Sequence, residues 1–107
     1  MDEKEFQRKV LFLLKINGWQ THHTFRSTEV NPKGFPDILA WKPSLGRMLF
    51  AELKSNTGRL TSEQKEVIAG LAQISTIETY VWYPKDWELI HEIIGVPFVP
   101  RIYPFRS

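Results

Sequence analysis

Residues 34–55 read GFPDILAWKPSLGRMLFAELKS. After Pro36, the residues Ile38, Leu39, Ala40 and Trp41 form an almost continuous apolar run, the pattern of a strand buried on both faces. Lys42-Pro43-Ser44-Leu45-Gly46 has turn composition, and Met48 to Lys54 supplies a second apolar strand, so the stretch reads as a β-hairpin. Its two arms pair Ile38 to Trp41 with roughly Met48 to Leu53, which sets Asp37 at the open end beside Glu52 and Lys54. Glu52 and Lys54 are two apart, and strand alternation sends both to one face. Three charged groups therefore meet at one end of an otherwise apolar pair of strands.

Charged side chains are seldom buried unless paired or metal-bound, and two adjacent carboxylates repel unless a cation joins them. Two arrangements satisfy that condition. In one, Glu52 and Lys54 form a strand salt bridge and Asp37 an Asx turn after Pro36. In the other, a hard divalent cation sits between the acids; magnesium prefers oxygen ligands and keeps several waters, which matches Asp37, Glu52 and the backbone carbonyl of Leu53. The chain has no cysteine, so disulfide scaffolds, zinc knuckles and thiol nucleophiles are excluded, and any metal must use oxygen or imidazole.

Upstream, residues 2 to about 17 read as an amphipathic helix with Phe6, Val10, Leu13, Leu14 and Asn17 on one stripe and Gly18 as its stop. At about 100° per residue Glu3 falls in the middle of that stripe and Gln7 at its edge, while Glu5 points to the opposite, solvent side. Trp19 to Phe25 suits a strand with Trp19, Thr21, His23 and Phe25 on one face, and Arg26 to Lys33 reads as a mobile polar loop. His23 is either a packed strand histidine or a group near phosphate.

Downstream, Thr61 and Gln64 have capping-box spacing at the start of a helix to about Ile74, Ile77 to Tyr83 is a fourth strand, and Asp86 caps a short helix through Ile94 before Gly95. Trp41, Trp82 and Trp87 read as core packing. The order αβββαβα predicts an α/β fold, a mixed sheet flanked by helices, over residues 1–95. Residues 96–107 carry Pro97, Pro100 and Pro104 and read as an extended arm that lies over the body or reaches a partner.

For 107 residues, 42% hydrophobic and 24% charged is an ordinary globular balance. The longest apolar run, Val10 to Leu14, is too short for a membrane span, so a soluble cytoplasmic protein with no membrane partner is expected. Net charge is only +2, so charge placement matters more than the total. Arg26, Lys33, Lys42, Arg47, Lys54 and Arg59 stand in one stretch against Glu29, Asp37 and Glu52. With a metal on the last two acids the surrounding loops are basic, which suits a nucleic-acid partner.

Gly34-Phe35-Pro36-Asp37, the hairpin, Glu52-Leu53-Lys54-Ser55, the turn with Gly58, Arg59 and Leu60, and the helix containing Gln64 resemble the PD-(D/E)xK nuclease superfamily. Within it the chain is similar to the VRR-NUC family, the virus-type replication and repair nuclease domain. The likeness runs from Asp2-Glu3-Lys4-Glu5-Phe6-Gln7 through Gly18-Trp19 and His23-Thr24 to Val81-Trp82-Tyr83-Pro84-Lys85-Asp86-Trp87.

The resemblance implies a restriction-endonuclease-like fold, with Asp37, Glu52 and Lys54 in the catalytic positions and Gln64 beside them. It also implies a first-helix acid as a further metal ligand, and the helical phase selects Glu3 over Glu5. The expected activity is magnesium-dependent endonuclease cleavage of DNA, with manganese as a substitute, on a branched substrate such as a Holliday junction or flap, in a bacterial or phage-infected cell. The alternative is a nucleic-acid-binding module of the same fold that does not cut. Symmetrical resolution of a four-way junction needs two matched nicks, so a homodimer is expected, with Phe12, Ile16 and the arm bearing Phe98, Ile102 and Phe105 as candidate surfaces.

Overall fold

The computed structural model describes residues 1–24 and 33–95. Phe25, nearly all of the polar loop and the whole 96–107 arm lie outside the described residues. Helix α1 spans Glu3–Ile16; it starts because the Asp2 carboxylate accepts from the Glu5 N–H at 2.7 Å. It buries Phe6, Val10, Leu13 and Leu14, the expected stripe. The helix stops where the Asn17 side chain donates to the Leu13 carbonyl at 2.8 Å and Gly18 turns left-handed at φ 85°.

Strand β1, Gln20–His23, pairs antiparallel with β2, Ile38–Lys42, and β2 pairs antiparallel with β3, Arg47–Leu53, with Ile38 opposite Ala51 and Trp41 opposite Met48. A 3-10 turn over Pro43–Leu45 closes the hairpin, and Gly46 at φ 64° supplies the left-handed residue that it needs. Helix α2, Ser62–Ala72, crosses over to β4, Glu78–Trp82, which runs parallel to β3 with Leu53 opposite Trp82. A 3-10 turn over Pro84–Asp86 leads into α3, Trp87–Gly95. Asp86 accepts from the Tyr83 N–H at 2.9 Å, closing the turn before α3.

The result is an α/β fold in the predicted order, an open mixed sheet β1-β2-β3-β4 with helices on its faces. Its main core gathers Phe6, Val10, Leu13, Leu14, Trp19, Ile38, Ala40, Leu49, Ala51, Leu53, Trp82, Ile90 and Ile94, so α1 and α3 seal one face. The opposite face, under α2, is only partly closed, because α2 buries none of its residues fully. The expectation that β2 is buried on both faces is corrected here. Ile38 and Ala40 are buried, whereas Leu39 and Trp41 remain half-covered on the α2 side. Among the described residues no helix is long and apolar enough to cross a membrane.

Candidate active site

The partly closed face carries the charged end of the hairpin. Alternation from Ile38 turns Asp37 to that face, and the antiparallel register sets it opposite Glu52. The backbone at Asp37 is tied from both sides, its carbonyl accepting from the Thr24 N–H at 2.7 Å and its Oδ2 accepting from the Leu53 N–H at 2.9 Å. Gly34 explains the approach of this segment. It sits at φ 86°, and a Cβ there would lie 2.6 Å from the Glu63 backbone carbon and oxygen, so only glycine lets the Phe35-Pro36-Asp37 lead-in press against the first turn of α2.

Glu52 is 2% exposed, the one buried charged residue among the described residues. Its Oε2 accepts from Gln64 Nε2 at 3.0 Å and lies 3.8 Å from Lys54 Nζ, while its Oε1 is buried without a partner. Burial, and then the Asp37 charge, push the Glu52 carboxyl up to about 8, against the pull of Lys54. Burial also raises Asp37, with the Leu53 N–H opposing. At neutral pH the metal-free pair therefore keeps a proton that ordinary carboxylates would have lost.

Among the described residues Lys54 is the one cation within ion-pair distance of Glu52, and its side chain is 12% exposed. The turn after β3 holds its stem: the Gly58 N–H donates to the Ser55 carbonyl at 2.9 Å, and a Cβ on Gly58 would lie 3.3 Å from Lys54 Cβ and Cδ. Gln64 reaches Glu52 from α2. Its Oε1 accepts from the Thr61 N–H at 2.9 Å and Thr61 Oγ1 accepts from the Gln64 N–H at 3.1 Å. With the carbonyl end of the amide fixed in the capping box, the NH₂ end is the one aimed at Glu52. Capping and proximity to the acids are thus one arrangement.

Glu3 comes from the other layer. It is exposed at the start of α1, accepts from the Ser55 N–H at 3.3 Å, and its charge raises both Asp37 and Glu52. Glu5 faces away and lines a groove between α1 and α3. Leu53 is present through its backbone, and its side chain is buried in the core. Among the described residues no three His, Asp or Glu side chains converge tightly enough to hold an ion by themselves. The close pair is Asp37 and Glu52, with Glu3 at the rim. Its donor set still suits a hard cation, since two facing carboxylates and an orphaned buried oxygen are the defects that such an ion repairs.

Part of the basic surround lies elsewhere. Arg47 makes a two-pronged ion pair with Glu78 at 2.6 and 2.8 Å, donates to the Ile93 carbonyl at 2.9 Å, and stacks on Trp19 at 4.9 Å. It locks β3, β4 and α3 together and offers nothing to phosphate. Lys42 stands at the closed end of the hairpin beside Gly18, and Lys33 pairs with Glu63 at 3.6 Å. Arg59 is exposed, and Arg26 lies outside the described residues. His23 is half-covered on β1, His22 is exposed, and His91 packs edge-on against Trp87. Two contributors were not visible from spacing: Ser55, which ties Glu3 to the end of β3, and Gly34. Gly34 had a signal in the sequence, a glycine directly before an apolar and proline lead-in.

A restriction-endonuclease-like sheet with paired carboxylates and a lysine at the end of its central hairpin defines a nuclease-type class. The VRR-NUC domain family matches residues 2–83, from the cap of α1 to the residue after β4, and the chain belongs to that family. The match includes Glu3, Asp37, Glu52, Leu53, Lys54 and Gln64 and ends before α3. No curated protein matches the chain.

Proposed function

We propose that this protein is a magnesium-dependent DNA endonuclease that hydrolyses phosphodiester bonds at branches, such as four-way junctions or flaps. The observation that carries the reading is the mutually repelling pair of half-buried Asp37 and buried Glu52, with Lys54 and Gln64 on one oxygen of Glu52. Removing two acids from water is unfavourable, and a purely structural strand end has no use for it.

In this reading Glu3, Asp37, Glu52 and the Leu53 carbonyl would hold the ion. When bound, magnesium polarises the scissile phosphate and makes water a usable nucleophile at neutral pH, and manganese can supply the same chemistry. Gln64 holds Glu52 by its amide at one oxygen, leaving the second carboxylate oxygen buried and without a hydrogen-bond partner. Lys54 places positive charge where negative charge develops on phosphorus-bound oxygens. Asp37 is held by the Leu53 N–H, so its second oxygen stays available. No covalent intermediate on the chain is needed. A twofold dimer belongs to the same reading, since each copy carries one such cluster and paired nicks need two.

Labelled linear, flap and four-way junction DNA incubated with and without magnesium is the test. Cutting confined to branched DNA and to the magnesium arm is expected. Equal cutting without a divalent ion would sink the metal assignment, and tight binding of every substrate with no cutting in magnesium or manganese would leave a binding module instead. Light scattering at the working concentration should give twice the chain mass.

A further inference from the structure

The face that carries the acids continues past them onto the edge strand β4. The Lys54 N–H donates to the Trp82 carbonyl at 3.0 Å, so the parallel pairing of β3 with β4 runs on beyond Leu53 and Trp82. Trp82 lies in the core and Tyr83 is still extended, so alternation turns the half-buried Tyr83 side chain to the side that holds Glu52 and Lys54. A second tie follows. The Lys85 N–H donates to Asn56 Oδ1 at 3.0 Å and joins the turn after β4 to the turn after β3. From there the exposed Lys85 side chain returns over Tyr83, with Nζ 5.3 Å from the ring centre.

We propose that Lys85, held on the Tyr83 ring, binds a backbone phosphate of the same nucleic-acid strand whose scissile phosphate meets Lys54. The inference rests on the nuclease reading and adds to it a second point of strand contact, at a residue outside the 2–83 span matched by the family.

Charge favours it. Arg47 is committed to Glu78, Lys33 faces Glu63 and Lys54 faces Glu52, whereas among the described residues Lys85 has no carboxylate within ion-pair distance. Asp86, its neighbour in the chain, already accepts from the Tyr83 N–H at 2.9 Å. The Lys85 ammonium therefore takes up a ligand without giving up an ion pair. Reach favours it as well. Adjacent strands lie about 4.8 Å apart, and the ring contact adds a similar distance, so Lys85 stands within about three nucleotides of Lys54 at about 3.4 Å of rise each. A lysine already resting on an aromatic face has less side-chain freedom to lose on binding, so the ring and the Asn56 tie preset the contact. Phosphate contacts position a strand without reading its bases, which suits recognition of a branch rather than of a sequence.

Fluorescence anisotropy of the full chain on labelled flap DNA, without divalent ion and over a range of salt, reads the contact apart from cleavage. Lys85→Gln should weaken binding several-fold and make the slope of log affinity against log salt shallower by about 0.7 to 0.9, the change for one phosphate contact. Lys85→Arg should keep both. Lys15→Gln is the control, an equal loss of charge on an exposed residue at the far end of α1, roughly 18 Å along the helix from Glu3. It should leave affinity and slope nearly as they are. Tyr83→Leu should weaken binding by a smaller factor and Tyr83→Phe should restore it, because either ring presents a face to the ammonium. A loss from Lys85→Gln no greater than that from Lys15→Gln, or an unchanged salt slope, would overturn the proposal, while the nuclease reading, scored separately by cutting in magnesium, would stand. Tyr83→Phe binding as poorly as Tyr83→Leu would overturn the part assigned to the ring.

Discussion

The two faces of the sheet are built from the same strands and serve opposite ends. On the α1 and α3 side, Ile38, Ala40, Leu49, Ala51 and Leu53 are sealed with Phe6, Leu14, Ile90 and Ile94 into a dry core. One residue further along each strand, Asp37 and Glu52 point to the other side, where α2 covers without burying any side chain of its own fully. The difference shows how a small chain keeps an unfavourable pair of acids in place: the closed face supplies the stability, and the hairpin register delivers the acids to the face with room for a ligand. Glu3 bridges the two, starting a core helix but ending its side chain on Ser55 at the site.

The comparison breaks first at the acids. Asp37→Asn or Glu52→Gln should abolish magnesium-supported cleavage while leaving DNA binding equal or stronger, because each removes negative charge facing phosphate. Gel-shift and cleavage assays on the same preparation check both halves. Phe6→Ala on the closed face should do the reverse, costing about 3–5 kcal/mol of stability through a cavity under α1. Whatever fraction stays folded should retain a working site, as read by denaturant melts and by activity per folded molecule.

Smaller effects sharpen the boundary. Glu3→Gln should lower activity on the order of tenfold or more at unchanged fold, whereas Glu5→Gln on the groove side should be nearly silent. The reverse ranking would move the first-helix ligand to Glu5. Gln64→Glu separates two roles of one residue, since a glutamate still accepts from the Thr61 N–H and preserves the cap but opposes Glu52 with an acceptor. Thermal stability near pH 7 should barely change, and cleavage should fall by about tenfold.

The smallest effect is in pH. With its carboxyl raised to about 8, Glu52 holds a proton in the folded metal-free chain that the unfolded chain releases near 4.5. Its contribution to stability is thus fully present below that lower value and is lost as the pH rises through about 8, with the raised Asp37 acting in the same sense. The melting temperature of metal-free protein should fall by a few degrees between about pH 5 and pH 8.5, and magnesium or Glu52→Gln should flatten the fall.

Much of this was legible because its determinants are local. The hairpin from Ile38 to Leu53 encodes its own register through alternation and the turn at Gly46, so Asp37 falls beside Glu52 with no long-range information. Thr61 and Gln64 announce α2 by spacing, and the phase of α1 separates Glu3 from Glu5. Arg47 was misjudged because its partners Glu78, Trp19 and Ile93 come from three other parts of the chain. The half-exposure of Leu39 and Trp41 likewise depends on how little of its surface α2 presses onto the sheet, which an apolar run does not reveal.

The parallel pairing of β3 with β4 has a consequence for the order of assembly. The antiparallel hairpin closes over a short turn, while β4 joins β3 only after α2 has crossed the sheet, and α3 meets α1 only when nearly the whole described chain is in place. Loop-closure entropy grows with the span enclosed, so short-range pairings form at lower cost. The two acids are thereby brought face to face early, while the cleft is still open to water and their repulsion is screened. Gln64 reaches Glu52 and water is shut out only later, with the crossover. The strain between the carboxylates therefore develops with the crossover, after the hairpin has already set them opposite each other and before α3 closes the core on the other face.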